Sequence, residues 1–394
     1  MKRAEYIALS ACTMMLTALG IDIMLPALGE LRQYWGLSPG STATSNIIVF
    51  FFMGQVVQLI FGILSDRFGR LPVLRAGFPL YIIGGIVATY AHSLEGMCAA
   101  RFVAGMGASA VFTTTIAGVR DRFKGDQMAR TMSFIFAIFL FTPIFAPFLG
   151  MALLAVASWR TVFLTPPLFA GIVFLWSLRL KESLPENERS VLNWASIGGT
   201  LKKIISNKTF LRYTTISTLL FAALSSYVSS SEHMVGVIYG RPRLFPWIFA
   251  AIGLTMALCS LFNSRLSVRY GAKGAILLLL RVYALLAGIL LVVTIIEEGR
   301  PDMLSFFVVL GLLMAINLAI EPNSSALALE PMGQMAGMAA SVSGTIFFFV
   351  GASLGAFINQ LMKHSVAPLV ISFFVFGSIG LLLAGTDKRR EKYS

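Results

Sequence analysis

The sequence predicts an all-α polytopic membrane protein built as two six-helix bundles around a central cavity, and three observations carry that prediction. Of the 394 residues, 57% are hydrophobic and only 12% charged, where a soluble chain carries about 25%. Apolar runs long enough for one helical crossing, about 20 residues, recur along the whole chain. A charged, glycine-marked turn also recurs half a chain apart. Leu64-Ser65-x-Arg67-Phe68-Gly69 returns as Leu266-Ser267-x-Arg269-Tyr270-Gly271, with Val268 in place of Asp66 and Ala272 in place of Arg70. Two halves related by such a repeat place a ligand site at their interface near mid-membrane.

Taken in order, the apolar runs place spans near 5–31, 42–64, 73–93, 95–118, 131–154 and 161–180, then 211–232, 244–265, 273–296, 303–325, 335–361 and 366–385. Met1-Lys2-Arg3 imitates the start of a signal peptide. The run behind it contains Asp22 and Pro26, extends too far and shows no small-residue cleavage site, so it reads as the first span. The polar stretch 181–210 divides the spans six and six. The expected organisation is an amino-terminal bundle over 1–180, a linker over 181–210, and a carboxy-terminal bundle over 211–394 ending in a short basic tail.

The net charge of +13 is topological rather than a sign of nucleic acid. With the amino terminus inside, most of the 31 basic residues fall on the cytoplasmic side. The outer side receives only Arg32, Arg160, Arg241, Arg243, Arg300 and Lys363, while Arg101 lies within a span. The positive-inside rule then puts both termini in the cytoplasm. Cys12, Cys98 and Cys259 fall in or beside apolar runs with no pairing or metal spacing, and read as packing residues.

Between the second and third spans lies Gly62-Ile63-Leu64-Ser65-Asp66-Arg67-Phe68-Gly69-Arg70. Asp66, Arg67 and Arg70 are costly in hydrocarbon, so this turn belongs at a membrane surface. Gly62 suits close helix approach and Gly69 a positive-φ turn. The stretch resembles the loop signature of major facilitator superfamily transporters: glycine, x, leucine, x, aspartate, arginine, x, glycine, arginine. Gly118-Val119-Arg120-Asp121-Arg122 ends the fourth span and is similar to the Bcr/CflA group of twelve-helix drug:proton antiporters. By that resemblance Asp121 pairs with Arg70 and Asp66 opposes the start of the eleventh span near Ala336, closing the cytoplasmic side.

Asp22 in Ile21-Asp22-Ile23-Met24-Leu25-Pro26 is the main candidate for chemistry. A carboxylate at this depth costs about 2.5–3.5 kcal/mol on insertion scales, so it should face a cavity or a partner. Desolvation favours the neutral acid, which suits a group that loads and releases a proton. The same Asp-x-x-x-Pro arrangement resembles the first helix of the Bcr/CflA group, where that Asp faces the cavity. A carboxylate bonded to loop groups near the outer helix end is the alternative. Arg101, opening the glycine-rich fourth span, is an expected partner of Asp22, directly or through water, unless it snorkels to the outer interface.

In the fifth span, Pro143, Ala146, Pro147 and Gly150 resemble the antiporter signature glycine-proline-x-x-glycine, with Ala146 where glycine is usual. The prolines imply a bend, with or without a leak-preventing role. Glu232, closing the seventh span beside His233, and Glu321, near the inner end of the tenth, are further candidates for proton or cationic substrate. For Glu321 a helix-end carboxylate capped by backbone is the alternative.

No glycine loop with a following Lys-Ser/Thr suits ATP, and His92, His233 and His364 are scattered, so neither a cofactor nor a metal is expected. A membrane-embedded enzyme or a receptor would leave the repeat unexplained. The resemblance implies a multi-pass carrier of the bacterial inner membrane that exchanges protons for small amphipathic drugs or toxic compounds; a monomer is the expected state, though no sequence feature reads it out. A carrier of one metabolite, such as a sugar, amino-acid derivative or siderophore, is the alternative.

Overall fold

The computed structural model describes residues 1–189 and 194–387. The basic tail expected at Lys388, Arg389, Arg390 and Lys392 lies outside the described residues. No strand occurs among the described residues, as lipid requires: every backbone N–H and C=O must be satisfied within its own segment. The chain divides into two compact units, Met1–Asn193 and Trp194–Ser394.

The first unit contains α1 (Arg3–Asp22), α2 (Leu28–Tyr34), α3 (Asn46–Gly54), α4 (Gln58–Phe68), α5 (Arg70–Thr89), α6 (Leu94–Arg122), α7 (Gly125–Val156) and α8 (Trp159–Ser177). The expected first span is not one helix. It breaks after Asp22 into a 3-10 turn at Leu25–Ala27, because Pro26 has no N–H to offer the Asp22 carbonyl. The second span is likewise α3 and α4 joined by a 3-10 turn at Gln55–Val57. Where α3 crosses α6, Gly54 and Gly105 face each other, and a Cβ on either would strike the opposing backbone. Ser93 starts α6 by accepting a hydrogen bond from the Gly96 N–H at 3.1 Å.

The second unit contains α9 (Trp194–Ile205), α10 (Lys208–His233), α11 (Phe245–Ile296), α12 (Met303–Leu329), α13 (Ala336–Leu361) and α14 (Ala367–Gly385). α9 is a short helix inside the stretch read as a linker. The eighth and ninth spans run together as α11 across a turn at Gly271, whose φ of +69° is left-handed. Gly69 has φ +101° at the corresponding turn, so the sequence repeat is also a repeat of backbone conformation.

Eleven helical segments among the described residues are long and apolar enough to cross a membrane. The expected seventh span, now α10, is not among them. Its Ser and Thr residues and the terminal Glu232 and His233 lower its hydropathy, yet it folds as a 26-residue helix. Its hydroxyls bond inward: Ser226 donates to the Asn359 side chain, which donates to Ser229, both at 2.7 Å. Asn317 donates to the Leu220 carbonyl at 2.7 Å. Helices in lipid are held together by such small and polar side chains.

Candidate functional site

Asp22 is 5% exposed and sits on the last turn of α1, where the break begins. Among the described residues its carboxylate has neither a hydrogen-bond nor an ion-pair partner. α7 reaches this break through Gly150, where a Cβ would strike the Ile23 carbonyl and lie 3.3 Å from Pro26. Gly150 therefore lets α7 touch the bent backbone that holds Asp22. Ala146 and Pro147 are buried on α7 and Pro143 is half-buried, both prolines lying inside one 32-residue helix.

Arg101 is 1% exposed. It does not bond directly to Asp22, contrary to one of the sequence expectations. Its Nη2 donates to the Gly20 carbonyl, and its guanidinium lies 4.3 Å from the Phe51 ring centroid. Tyr81 donates to the nearby Leu16 carbonyl at 2.8 Å. The helix break supplies the reason. Close to the α1 terminus, backbone carbonyls compete well for a guanidinium, and a ring face accepts the remaining charge.

At the end of the unit that carries Met1, the turn residues form a cluster. Arg70 Nε donates to Asp121 Oδ2 at 2.9 Å, and Nη1 donates to Ser65 Oγ at 3.1 Å and to Asp66. Gly62 is half-buried on α4, and Arg67 is half-buried beside the exposed Asp66. Two further residues, which the sequence reading passed over as linker, complete the cluster. Glu182 accepts from the backbone N–H groups of Arg70 (2.9 Å) and Leu71 (3.0 Å), capping α5 from 112 residues away. It also accepts from Ser183 and Leu184, and Ser183 Oγ donates to Asp121 at 2.9 Å.

Gly69, the residue before α5, has no side chain with which to cap the helix, and a Cβ there would lie 2.6 Å from Glu182 Oε2. Burial opposes the charge on Glu182, but the four backbone donors outweigh it and hold its carboxyl below the usual carboxylate range. A carboxylate following an apolar span and preceding Pro185 was the available signal. Nothing in sequence spacing, however, links it to a turn so far away.

The second unit repeats this cluster without charge. The offset that relates Ser65 to Ser267 also takes Asp121 to Asn323. Ser267 donates to Asn323 Oδ1 at 2.8 Å, and Asn323 Nδ2 donates to Asn263 Oδ1 at 3.0 Å. Glu321 is half-buried within α12, which continues to Leu329, so it is not a helix-end carboxylate. Glu232 is half-buried at the end of α10, where the chain enters a π-helical turn at Met234–Ile238. Beside it, buried His233 donates through Nε2 to the Lys363 carbonyl at 3.1 Å. The structure thus gathers Arg70, Asp66 and Asp121 in one place, and Asp22, Gly150 and Arg101 around the α1 break. Glu232 and Glu321 stand on separate helices of the second unit.

The family model described as Major Facilitator Superfamily matches residues 10–356. The chain belongs to the major facilitator superfamily. It is therefore a membrane carrier of small molecules rather than an enzyme, with the major facilitator fold. It is 28% identical to a bicyclomycin resistance protein homolog of Haemophilus influenzae, covering 91% of this chain and 89% of that one. A chloramphenicol resistance protein of Pseudomonas aeruginosa is 26% identical, covering 94% and 87%. The multidrug resistance protein MdtL of Klebsiella pneumoniae is 24% identical, covering 99% and 97%. Among solved structures, a D-xylose-proton symporter superposes with a TM-score of 0.77 at 11% identity, covering 97% of this chain and 96% of that one. At that identity the likeness shows the fold alone. These relatives match the Bcr/CflA-like drug-resistance group of the superfamily.

Proposed function

We propose that this carrier exports small amphipathic compounds from a bacterial cytoplasm in exchange for protons, with Asp22 as the proton-carrying group. The observation that carries the reading is a buried carboxylate, without a partner among the described residues, at a membrane-helix break that α7 contacts through Gly150. Such a group is costly to keep charged, and protonation or a cationic substrate relieves that cost. Arg101 is proposed to tune Asp22, and Glu321 and Glu232 to be further groups for protons or cationic substrate.

In this reading both termini face the cytoplasm of the inner membrane. The bundles over 1–180 and 211–394, joined by the linker 181–210, rock as alternating halves, and the monomer is the working unit. The Asp66–Arg70–Asp121 cluster holds the cytoplasmic side closed. A proton returning inward releases about 2.3 kcal/mol per 100 mV of membrane potential, enough to drive export against a gradient.

Everted vesicles carrying an inside-acid pH gradient test the export reading. Cationic dyes, chloramphenicol-like compounds, sugars and siderophores are added singly and the gradient followed with a fluorescent reporter. Collapse by several unrelated drugs is expected. Collapse by a single metabolite would replace drug export with a dedicated carrier, and silence across the panel from folded protein would contradict proton-coupled export.

A further inference from the structure

At the end of the first unit that carries Met1, a narrow crevice open to solvent enters the bundle between α1, α5, α6 and α8. Its wall includes Tyr6, Ser10, Arg70, Arg122, Lys181 and Ser183, and no carboxylate lines it among the described residues. The cations differ in what they already hold. Arg70 is engaged by Asp121 and Asp66. Arg122 donates to the Lys181 carbonyl and lies 4.3 Å from the Tyr6 ring centroid, but it has no acidic partner among the described residues. Lys181 is exposed and likewise has no acidic partner among them. The neighbouring acids are already spoken for: Asp121 by Arg70 and Ser183, and Glu182 by four backbone N–H groups.

Two cations without counter-charges among the described residues, beside the Ser10 hydroxyl in a partly apolar crevice, form a site complementary to an oxyanion. A guanidinium presents paired donors to phosphate oxygens, and an ammonium adds a point charge. Basic pockets between membrane helices at the cytoplasmic surface suit lipid headgroups. We propose that this crevice binds a phosphate oxyanion, held by Arg122 and Lys181 with Ser10 as a hydroxyl donor. The group is either the headgroup phosphate of an anionic phospholipid or free phosphate. Arg70 lines the same wall, so a bound anion also stands beside the Arg70–Asp121 ion pair. The inference is independent of what the carrier exports.

The full-length chain in phosphatidylcholine nanodiscs, with and without phosphatidylglycerol, tests it, with bound lipid read by native mass spectrometry and inorganic phosphate titrated calorimetrically. Wild type, Arg122→Gln, Lys181→Gln and the double variant are compared. Lys124→Gln, an exposed cation outside the crevice wall, serves as control. Wild type should retain phosphatidylglycerol over phosphatidylcholine, and the double variant should lose about tenfold of that preference, equivalent to about 1.4 kcal/mol, while Lys124→Gln behaves as wild type. Phosphate binding lost in the double variant without any lipid preference would identify free phosphate as the ligand. If the double variant fails to fold, Lys181→Gln, at an exposed position, should still show a partial loss. Equal lipid retention and equal phosphate binding in wild type and variants would overturn the proposal.

Discussion

Replacing Glu182 by alanine removes one side chain that serves four backbone donors. Two of these, the Arg70 and Leu71 N–H groups at 2.9 and 3.0 Å, belong to the open first turn of α5. An amino-terminal cap is worth about 0.5–2 kcal/mol, and a carboxylate facing the helix dipole adds about 0.3–1 kcal/mol. Water reaches the half-buried site and replaces part of the loss, so a cost of about 2 kcal/mol is expected for Glu182→Ala. Glu182→Gln keeps one acceptor oxygen and should lose about half of that. For a unit of the size Met1–Asn193, 1 kcal/mol corresponds to a melting shift of roughly 2–4 °C, giving about 4–8 °C for alanine in detergent thermal unfolding.

The pH dependence has a fixed sign. The folded-state carboxyl lies below its unfolded value. Its contribution is therefore fully present above the unfolded carboxylate range and lost as pH falls through the folded one. Wild type should converge on Glu182→Gln on acidification. A Glu182→Ala protein melting within about 1 °C of wild type, or a difference from Gln that grows on acidification, would refute the capping argument.

Other substitutions test the remaining geometry. Exchanging the charges of Arg70 and Asp121 together should restore transport lost by either reversal alone, since each single change leaves two like charges about 3 Å apart; failure of the double exchange to rescue would count against the pairing. Gly150→Val should place side-chain atoms on the Ile23 carbonyl, cost about 1–3 kcal/mol and abolish transport. Gly171→Val, where nothing lies within 4 Å of the new Cβ, should leave transport intact, as parallel uptake assays would show. Arg101→Lys should transport poorly despite its retained charge, because an ammonium reproduces neither the planar contact with Phe51 nor the reach to the Gly20 carbonyl; transport at the wild-type level would remove the special role given to the guanidinium.

The helical plan was legible because lipid leaves the backbone so few choices: a long apolar run becomes a helix, and Pro26 and Gly271 mark where helices bend or turn. The repeat around Gly69 and Gly271 was readable because positive φ selects glycine at both places. α10 was placed with the other apolar runs, but the reason for its hydroxyls appeared only with Asn359 opposite them. The sequence offered Asp22 and Arg101 as a pair on charge alone. The structure gives Arg101 to Gly20 and Phe51, since local carbonyls and rings are invisible to a search for opposite charges. Glu182 was missed for a related reason: its partners are main-chain N–H groups, which carry no residue signature.

The central claim is that Asp22 carries the coupling proton. Purified protein in proteoliposomes separates coupling from movement of substrate: exchange of labelled for unlabelled substrate needs no net proton transfer, whereas uptake driven by a pH gradient does. For Asp22→Asn the account predicts that exchange persists while gradient-driven accumulation is lost, and that Asp22→Glu recovers part of it. Gradient-driven accumulation by Asp22→Asn at the wild-type level would contradict it.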